Sequence, residues 1–354
     1  MAIEKILKIQ YNKPCKGRCC FFISKVKIMT IVKSQFDLNN MPEGCVLTIG
    51  NFDGVHAGHC KILSRARELA VQKKTFMTAM TFEPHPVAVL HPEQAPGVLT
   101  PLFMKLHRFK EFADVCIVIK DKRKLLDLSA EAFVEQFIMQ HIKPSVIVEG
   151  DDFNFGANRQ GDIGTLSRLG KKYGFDTDIV ESKQISLASG QNLRVSSTLI
   201  RYMLESAHVS DAACALQRFY RLTGRIITGR GKGRVIGYPT LNMEIPAQIL
   251  PAQGVYAGFV FISDSKEGLL DSSNTSIPAV FSLGQARTFG SEYPLLIESH
   301  LLNGDFPDMT GKFMAMDFAG HLRSQHKFNS VSDLVKQIDL DCIEARELLA
   351  ALKD

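Results

Sequence analysis

Near residue 213 the chain changes its hydrophobic period, and that change limits what it can fold into. Between Cys45 and Ala207 short apolar runs at 46–49, 76–82, 115–120, 146–149 and 177–180 alternate with helical patterns. The stretch 129–142 is one such pattern: Ser129 can cap its start, and Phe133, Phe137, Ile138 and Ile142 form a stripe. Strands separated by helices are joined by crossovers and run parallel, so this half is expected to be a Rossmann-like α/β unit. From Tyr220 to Phe318 apolar runs at 225–228, 255–262, 277–283, 295–302 and 313–318 follow one another with only Gly, Pro, Asn and Asp turns between them. Short strands without helices predict an antiparallel barrel or sandwich. Residues 331–352, with Leu334, Val335, Ile338, Ile343, Ala345, Leu348 and Leu349, return to helical spacing. Two units are expected, over residues 29–207 and 212–354.

A chain of 354 residues with 45% hydrophobic content can bury a core in each unit. No uninterrupted apolar run reaches the roughly eighteen residues that a bilayer-spanning helix needs, so no membrane association is expected. The formal charge of +5 fits polyphosphate substrates without calling for nucleic acid. The eight cysteines show no zinc-like spacing, since Cys15, Cys19 and Cys20 lack a partnering Cys or His pair. They are read as free thiols in a reducing, cytoplasmic compartment. Residues 1–28 are basic and precede a second methionine, Met29, followed by Thr-Ile-Val. They are expected to be an extension with little structure. A monomer or weak homo-oligomer is expected.

Thr48-Ile49-Gly50-Asn51-Phe52-Asp53-Gly54-Val55-His56-Ala57-Gly58-His59 joins the first strand to a helix expected over 61–71, where Ile62, Leu63, Ala66, Leu69 and Ala70 share a face. Backbone N–H groups at such a helix start bind phosphate, Gly58 permits close approach, and two imidazoles can donate to phosphate oxygens. The same residues also fit a plain capped turn. Val195-Ser196-Ser197-Thr198-Leu199-Ile200-Arg201 sets hydroxyls and an arginine at another helix start, either as phosphate donors or as an ordinary N-cap. The basic run Gly229-Arg230-Gly231-Lys232-Gly233-Arg234-Val235-Ile236-Gly237-Tyr238-Pro239-Thr240-Leu241-Asn242 can wrap phosphates through its backbone, although it lacks the Gly-Lys-Thr ending of a P-loop.

These segments occur in a meaningful order. His56-Ala57-Gly58-His59 resembles the His-x-Gly-His signature of nucleotidylyltransferases. The surrounding Gly50 to His56, Thr81-Phe82-Glu83-Pro84-His85-Pro86, Leu99-Thr100-Pro101, Glu149-Gly150-Asp151-Asp152-Phe153-Asn154-Phe155-Gly156 and Val195 to Arg201 are similar to bacterial FAD synthetases. Gly237-Tyr238-Pro239-Thr240-Leu241-Asn242 resembles the riboflavin kinase signature, followed by Gly254-Val255-Tyr256-Ala257-Gly258 and Ile297-Glu298-Ser299-His300-Leu301-Leu302. The chain as a whole resembles the bacterial bifunctional riboflavin kinase/FMN adenylyltransferase family.

The resemblance implies two reactions with Mg2+ and ATP: phosphorylation of riboflavin to FMN, and attack of the FMN phosphate on the α-phosphorus of ATP to give FAD and pyrophosphate. It implies that His56 and His59 stabilise the α-phosphate and leaving group, while Gly50, Asn51, Gly58, Ser197, Thr198 and Arg201 bind phosphates. Asp152, Phe153 and Phe155 line the flavin side, and Asp53 is either a turn former or a ligand. In the second half Gly231, Gly233 and Gly237 approach phosphates, Thr240 and Asn242 hold the metal, and Glu298 deprotonates the riboflavin hydroxyl. The chain departs from the kinase pattern at Ser282 to Phe289, Asn303, Thr310 and Gln325. These departures leave open an FAD synthetase with a weakened kinase domain. A nucleotidylyltransferase for another phosphorylated substrate, or a flavin-sensing or nucleic-acid-binding regulator, also remains open.

Overall fold

The computed structural model describes residues 30–32, 43–120, 123–187, 190–271, 273–285, 295–303 and 306–352. The expected extension 1–28 lies outside them, as does the altered kinase segment from residue 286 to 289.

Six strands make one sheet: β1 (Thr30–Val32), β2 (Val46–Ile49), β3 (Met77–Glu83), β4 (Val115–Lys120), β5 (Val146–Gly150) and β6 (Asp176–Val180). Their order is β1-β4-β3-β2-β5-β6, and every pair is parallel. Strands covered on both faces bury every residue, so β2 and β5 read as unbroken buried runs. The chain steps outward from β2 through β3 to β4, then returns to β5 on the other side of β2. A ligand crevice belongs at that switch point, outside the carboxyl ends of the strands. The β2–β5 ladder pairs only Val46 with Val146 and Leu47 with Ile147. Past it the strands part, and the buried Glu149 carboxyl accepts the Ile49 N–H at 2.6 Å.

The crossover helices are α1 (Ala57–Gln72), α2 (Leu102–Phe109) and α3 (Ile163–Tyr173). In α1, Leu63, Ala66 and Ala70 are buried, and the helix begins earlier than the apolar spacing suggests because His56 caps it. The expected 129–142 helix is wound differently. Ser129 does cap it, accepting the Ala132 N–H at 3.2 Å, but after Ala130–Ala132 the segment Phe133–Met139 takes π-helical winding. The apolar stripe survives, with Phe133 and Phe137 stacked at 5.8 Å.

α4 (Ser197–Glu205) and α5 (Val209–Leu216) lead into a second unit. There β9 (Tyr220–Ile227), β10 (Leu241–Met243), β11 (Gly254–Ser263), β12 (Ile277–Gln285), β13 (Leu295–Leu301) and β14 (Phe313–Ser324) close an antiparallel barrel in the order β10-β13-β12-β11-β14-β9. Leu222, Tyr256, Phe281, Met316 and Phe318 fill it. A short hairpin, β7 (Gln184–Ser186) with β8 (Asn192–Arg194), precedes α4. α6 (Val331–Ala351) lays Cys342, Ala345 and Leu349 on the outer barrel residues Val255, Ala257 and Phe259.

The seam between the units is an apolar core. Ile200, Met203 and Leu204 of α4 and Val209 and Ala212 of α5 share one cluster with Leu99 of the sheet unit and with barrel residues. Gln248 spans it, donating to the Leu99 carbonyl at 3.3 Å while accepting the Thr223 N–H at 3.0 Å. No helix among the described residues is long and apolar enough to cross a membrane, and the described cysteines are all free.

Candidate active sites

The turn from Gly50 to His59 sits at the carboxyl end of β2. His56 caps α1, its Nδ1 accepting the His59 N–H at 3.3 Å. The cap turns the two imidazoles onto one another, stacked at 3.6 Å and 15°. Phe52 closes the other side of His59 with an edge contact at 5.2 Å. Gly58 leaves room here, since a Cβ would stand 3.2 Å from the His56 ring. Gly50 likewise leaves room for the Phe52 ring, also 3.2 Å from where a Cβ would be.

Burial, followed by the nearby Arg218 charge, pushes the His56 pKa down to about 3. His59 falls well below the ordinary imidazole range, first through burial and then through His56, Lys105 and Arg218. Both rings are therefore neutral throughout the neutral range, each with one N–H to donate. His59 Nδ1 and Asn51 Oδ1 are buried without a hydrogen-bond partner among the described residues. Because depressed pKa values move protonation to acid, kcat/KM for the first site should show no imidazole limb between about pH 5 and 8, where an ordinary histidine would titrate. A limb near pH 6.5 in the pH–rate profile would contradict this.

Asp53 resolves as an anchor of the turn. Its carboxylate accepts the Leu99 N–H at 3.1 Å and the Thr100 N–H at 3.0 Å, and it pairs with the Arg201 guanidinium. Arg201 also donates to the Gly97 carbonyl at 2.7 Å, and Ser197 donates to the Asp53 carbonyl at 2.8 Å. The start of α4 is thereby strapped to the turn that carries the histidines, with Ser196 as the cap and Thr198 exposed. Removing one partner of a buried ion pair leaves the other charge unanswered, so Asp53→Ala should cost about 3–5 kcal/mol and lower the denaturation midpoint. An unchanged midpoint would remove Asp53 from this role.

Three residues to which the motifs gave no role complete the site. Lys105 of α2 is buried and donates to the Asn51 carbonyl at 2.8 Å, with its pKa lowered by that burial. His85, after β3, meets the Asn51 amide nitrogen at 3.1 Å. Arg218 donates to the Gly54 carbonyl at 2.6 Å. Lys105 had a readable signal: it lies three residues after Leu102 and four before Phe109, on the apolar face of its helix. Further along the crevice, Asp152 is exposed and pairs with Arg194 of the hairpin at 2.6 Å. Phe153 stacks on Phe155 at 5.4 Å, and Phe155 is packed into the core behind it, 8% exposed.

The second site is a cavity of about 260 Å³ at the barrel mouth. Gly233, Thr240, Ser282, Glu298, His300 and Gln325 line it, and α6 supplies an apolar wall. The register pairs Glu298 with Asn242 on one side and with Ser282 on the other, which gathers oxygen-bearing side chains in one row. Asn242 packs against Gly229, where a Cβ would lie 2.2 Å from its amide. Gly231 and Gly237 take left-handed φ values of 70° and 90°, bracketing a helical turn at Lys232–Val235. Burial raises the Glu298 pKa, while Arg230 and the Thr240 hydroxyl partly offset it. Hydroxyl, amide and carboxylate oxygens are donors of the kind that Mg2+ takes, although among the described residues no group of three or more His, Cys, Asp or Glu side chains is placed to hold a metal ion.

Two family models divide the chain: FAD synthetase matches residues 38–199 and riboflavin kinase matches residues 216–349. The chain is 33% identical over 327 residues to the bifunctional riboflavin kinase/FMN adenylyltransferase of Escherichia coli (strain K12), covering 92% of this chain and 99% of that one. The protein of the same name from Haemophilus influenzae is 34% identical over 320 residues, covering 90% and 98%. This chain belongs to the bifunctional riboflavin kinase/FMN adenylyltransferase family. A solved structure from Streptococcus pneumoniae, described as a macrolide-efflux protein, has the same architecture across both units, with a TM-score of 0.75 at 25% identity over 90% of this chain and 99% of that one.

Against that family, the departures fall unevenly in space. Asn303 and Thr310 are exposed and form no part of the cavity wall. Gln325 and Ser282 do line it, joined by a 3.0 Å hydrogen bond from the glutamine amide to the serine hydroxyl. That bond ties the end of β14 to β12 without adding a charge beside Glu298.

Proposed function

We propose that the barrel cavity phosphorylates riboflavin to FMN with MgATP and that the β2 crevice adenylylates FMN to FAD with release of pyrophosphate. The carrying observation is that one chain holds two separate sites of different chemistry. One has two stacked neutral histidines at a phosphate-binding helix start. The other has a buried carboxylate in register with oxygen donors.

In the first reaction Glu298 takes the proton of the riboflavin primary hydroxyl as its oxygen attacks the γ-phosphorus and ADP leaves. Thr240 and Asn242 would hold Mg2+, which supplies charge neutralisation on the phosphates, while the backbone around Gly231, Gly233 and Gly237 lies against them. In the second, an FMN phosphate oxygen bonds to the α-phosphorus as its bond to the bridging oxygen breaks. No enzyme intermediate forms, so positioning and electrostatics carry the catalysis. His56 and His59 donate to the charge that develops. Gly50, Asn51 and Gly58 shape the phosphate seat, and Ser197, Thr198 and Arg201 face the β- and γ-phosphates. Asp152 and Phe153 receive the flavin, with Phe155 as the backing of Phe153.

The free thiols and modest charge support a cytoplasmic enzyme, monomeric or weakly associated, acting on small molecules without nucleic-acid or membrane partners. The two units are read as residues 29–207 and 212–354, joined through the α4 and α5 seam. FMN and ATP with magnesium should give FAD and pyrophosphate in equal amounts, and none when FMN is withheld. Pyrophosphate release that does not depend on FMN would contradict the second assignment.

A further inference from the structure

The turn that carries the histidines has a backbone that does not hold itself. Phe52, Gly54 and Val55 have φ values of 49°, 85° and 38°. Left-handed backbone at two non-glycine residues, one of them β-branched, costs on the order of 1–3 kcal/mol each and persists only where surroundings enforce it. Asp53 clamps one side through Leu99 and Thr100. The other side is held by a residue 163 positions away. Arg218 Nη2 donates to the Gly54 carbonyl at 2.6 Å, and Nη1 donates to the Val55 carbonyl at 3.2 Å and to the Leu216 carbonyl at 3.0 Å.

A planar guanidinium suits this task because its fork reaches two consecutive carbonyls at once. Its hydrogen bonds among the described residues all end on carbonyl oxygens. The next residue after the two carbonyls is His56. Arg218 itself lies within the segment matched as riboflavin kinase, two residues before β9.

We propose that Arg218 is a positioning residue for adenylyl transfer: it fixes the left-handed turn that aims His56 and His59, so the unit bearing the kinase completes the FAD-forming site. This rests on the reading that His56 and His59 meet the triphosphate. Burial, with Arg108 next in effect, pushes the Arg218 pKa down to about 10, so it remains charged beside two neutral imidazoles. The two activities are then linked by covalent continuity and by this contact, not by sequence proximity alone.

The test uses the full chain with FMN, ATP and magnesium, and riboflavin with ATP as a parallel readout. Arg218→Met keeps the aliphatic stem and removes the fork. It should lower kcat for FAD formation at least about tenfold with KM for ATP within about threefold, because misplaced donors slow chemistry more than binding. Riboflavin phosphorylation should stay within about twofold, and Arg218→Lys should give an intermediate kcat because an ammonium still reaches a carbonyl. An Arg218→Met enzyme with kcat within about twofold of wild type would overturn the proposal. So would a parallel loss of both activities that Arg218→Lys does not relieve, since that marks a purely structural residue. His59→Ala serves as the separate control: if it leaves FAD formation intact, the reading of the turn has failed, whatever Arg218 does.

Discussion

Replacing His59 with alanine should lower kcat for FAD formation by about a hundredfold or more, the loss seen when a preorganised donor is removed from developing charge. Riboflavin phosphorylation by the same protein should be unaffected. The size of the effect follows from the setting of the ring. His59 is stacked on His56 at 3.6 Å, walled by Phe52, and its Nδ1 is buried with no partner among the described residues. A ligand atom that meets it would make its hydrogen bond in a buried, low-dielectric setting, where such bonds are strong. Alanine removes the donor and favours the helix, so α1 and the cap at His56 persist. The check is kcat for FAD from supplied FMN beside the rate of FMN formation from riboflavin. If both rates fell together in folded protein, the assignment of His59 to one site would be wrong.

Glu298→Gln should have the opposite signature. The amide keeps the shape and sits in the same row with Asn242 and Ser282 but cannot accept the riboflavin proton. FMN formation should fall by about a hundred- to ten-thousandfold, the usual range for a lost general base. FAD formation from supplied FMN should remain within about twofold, because His59 and Glu298 belong to different units. The wild-type pH profile carries the same information. Burial raises the Glu298 pKa, a base works only when deprotonated, and so the acid limb of FMN formation should lie above the ordinary glutamate value of about 4.3. In Glu298→Gln that limb should vanish from the residual rate. A wild-type limb at or below the ordinary value would contradict the buried-base account.

The first half was legible because buried parallel strands are continuous apolar runs. The expected 115–120 and 46–49 strands coincide with β4 and β2. Strands too short to show a period were not legible: β1 and β10 have three residues each, and pairing with β4 in one case and with β9 and β13 in the other makes them strands. Closure of the barrel decided between barrel and sandwich, which turn spacing alone could not do.

The motifs brought the right neighbourhoods together but not the contacts between them. Arg201 reads as a phosphate donor, but no local pattern marks the pair its guanidinium also makes with Asp53, 148 residues away in sequence. Phe153 and Phe155 read as equivalents, yet the first is half-buried and the second is in the core. Lys105 could have been found as a charge on an apolar helix face. Arg218 could not, because no local period marks a residue whose function is to reach carbonyls 163 and 164 positions earlier.

The most direct test of the whole account is a time course of products from purified full-length protein given riboflavin, ATP and magnesium, resolved by chromatography. FMN should appear first and FAD should follow at its expense, because the barrel makes what the crevice consumes. Riboflavin that stays unchanged while supplied FMN is converted to FAD would contradict the account of the barrel site, and FMN that accumulates without FAD would contradict the account of the crevice.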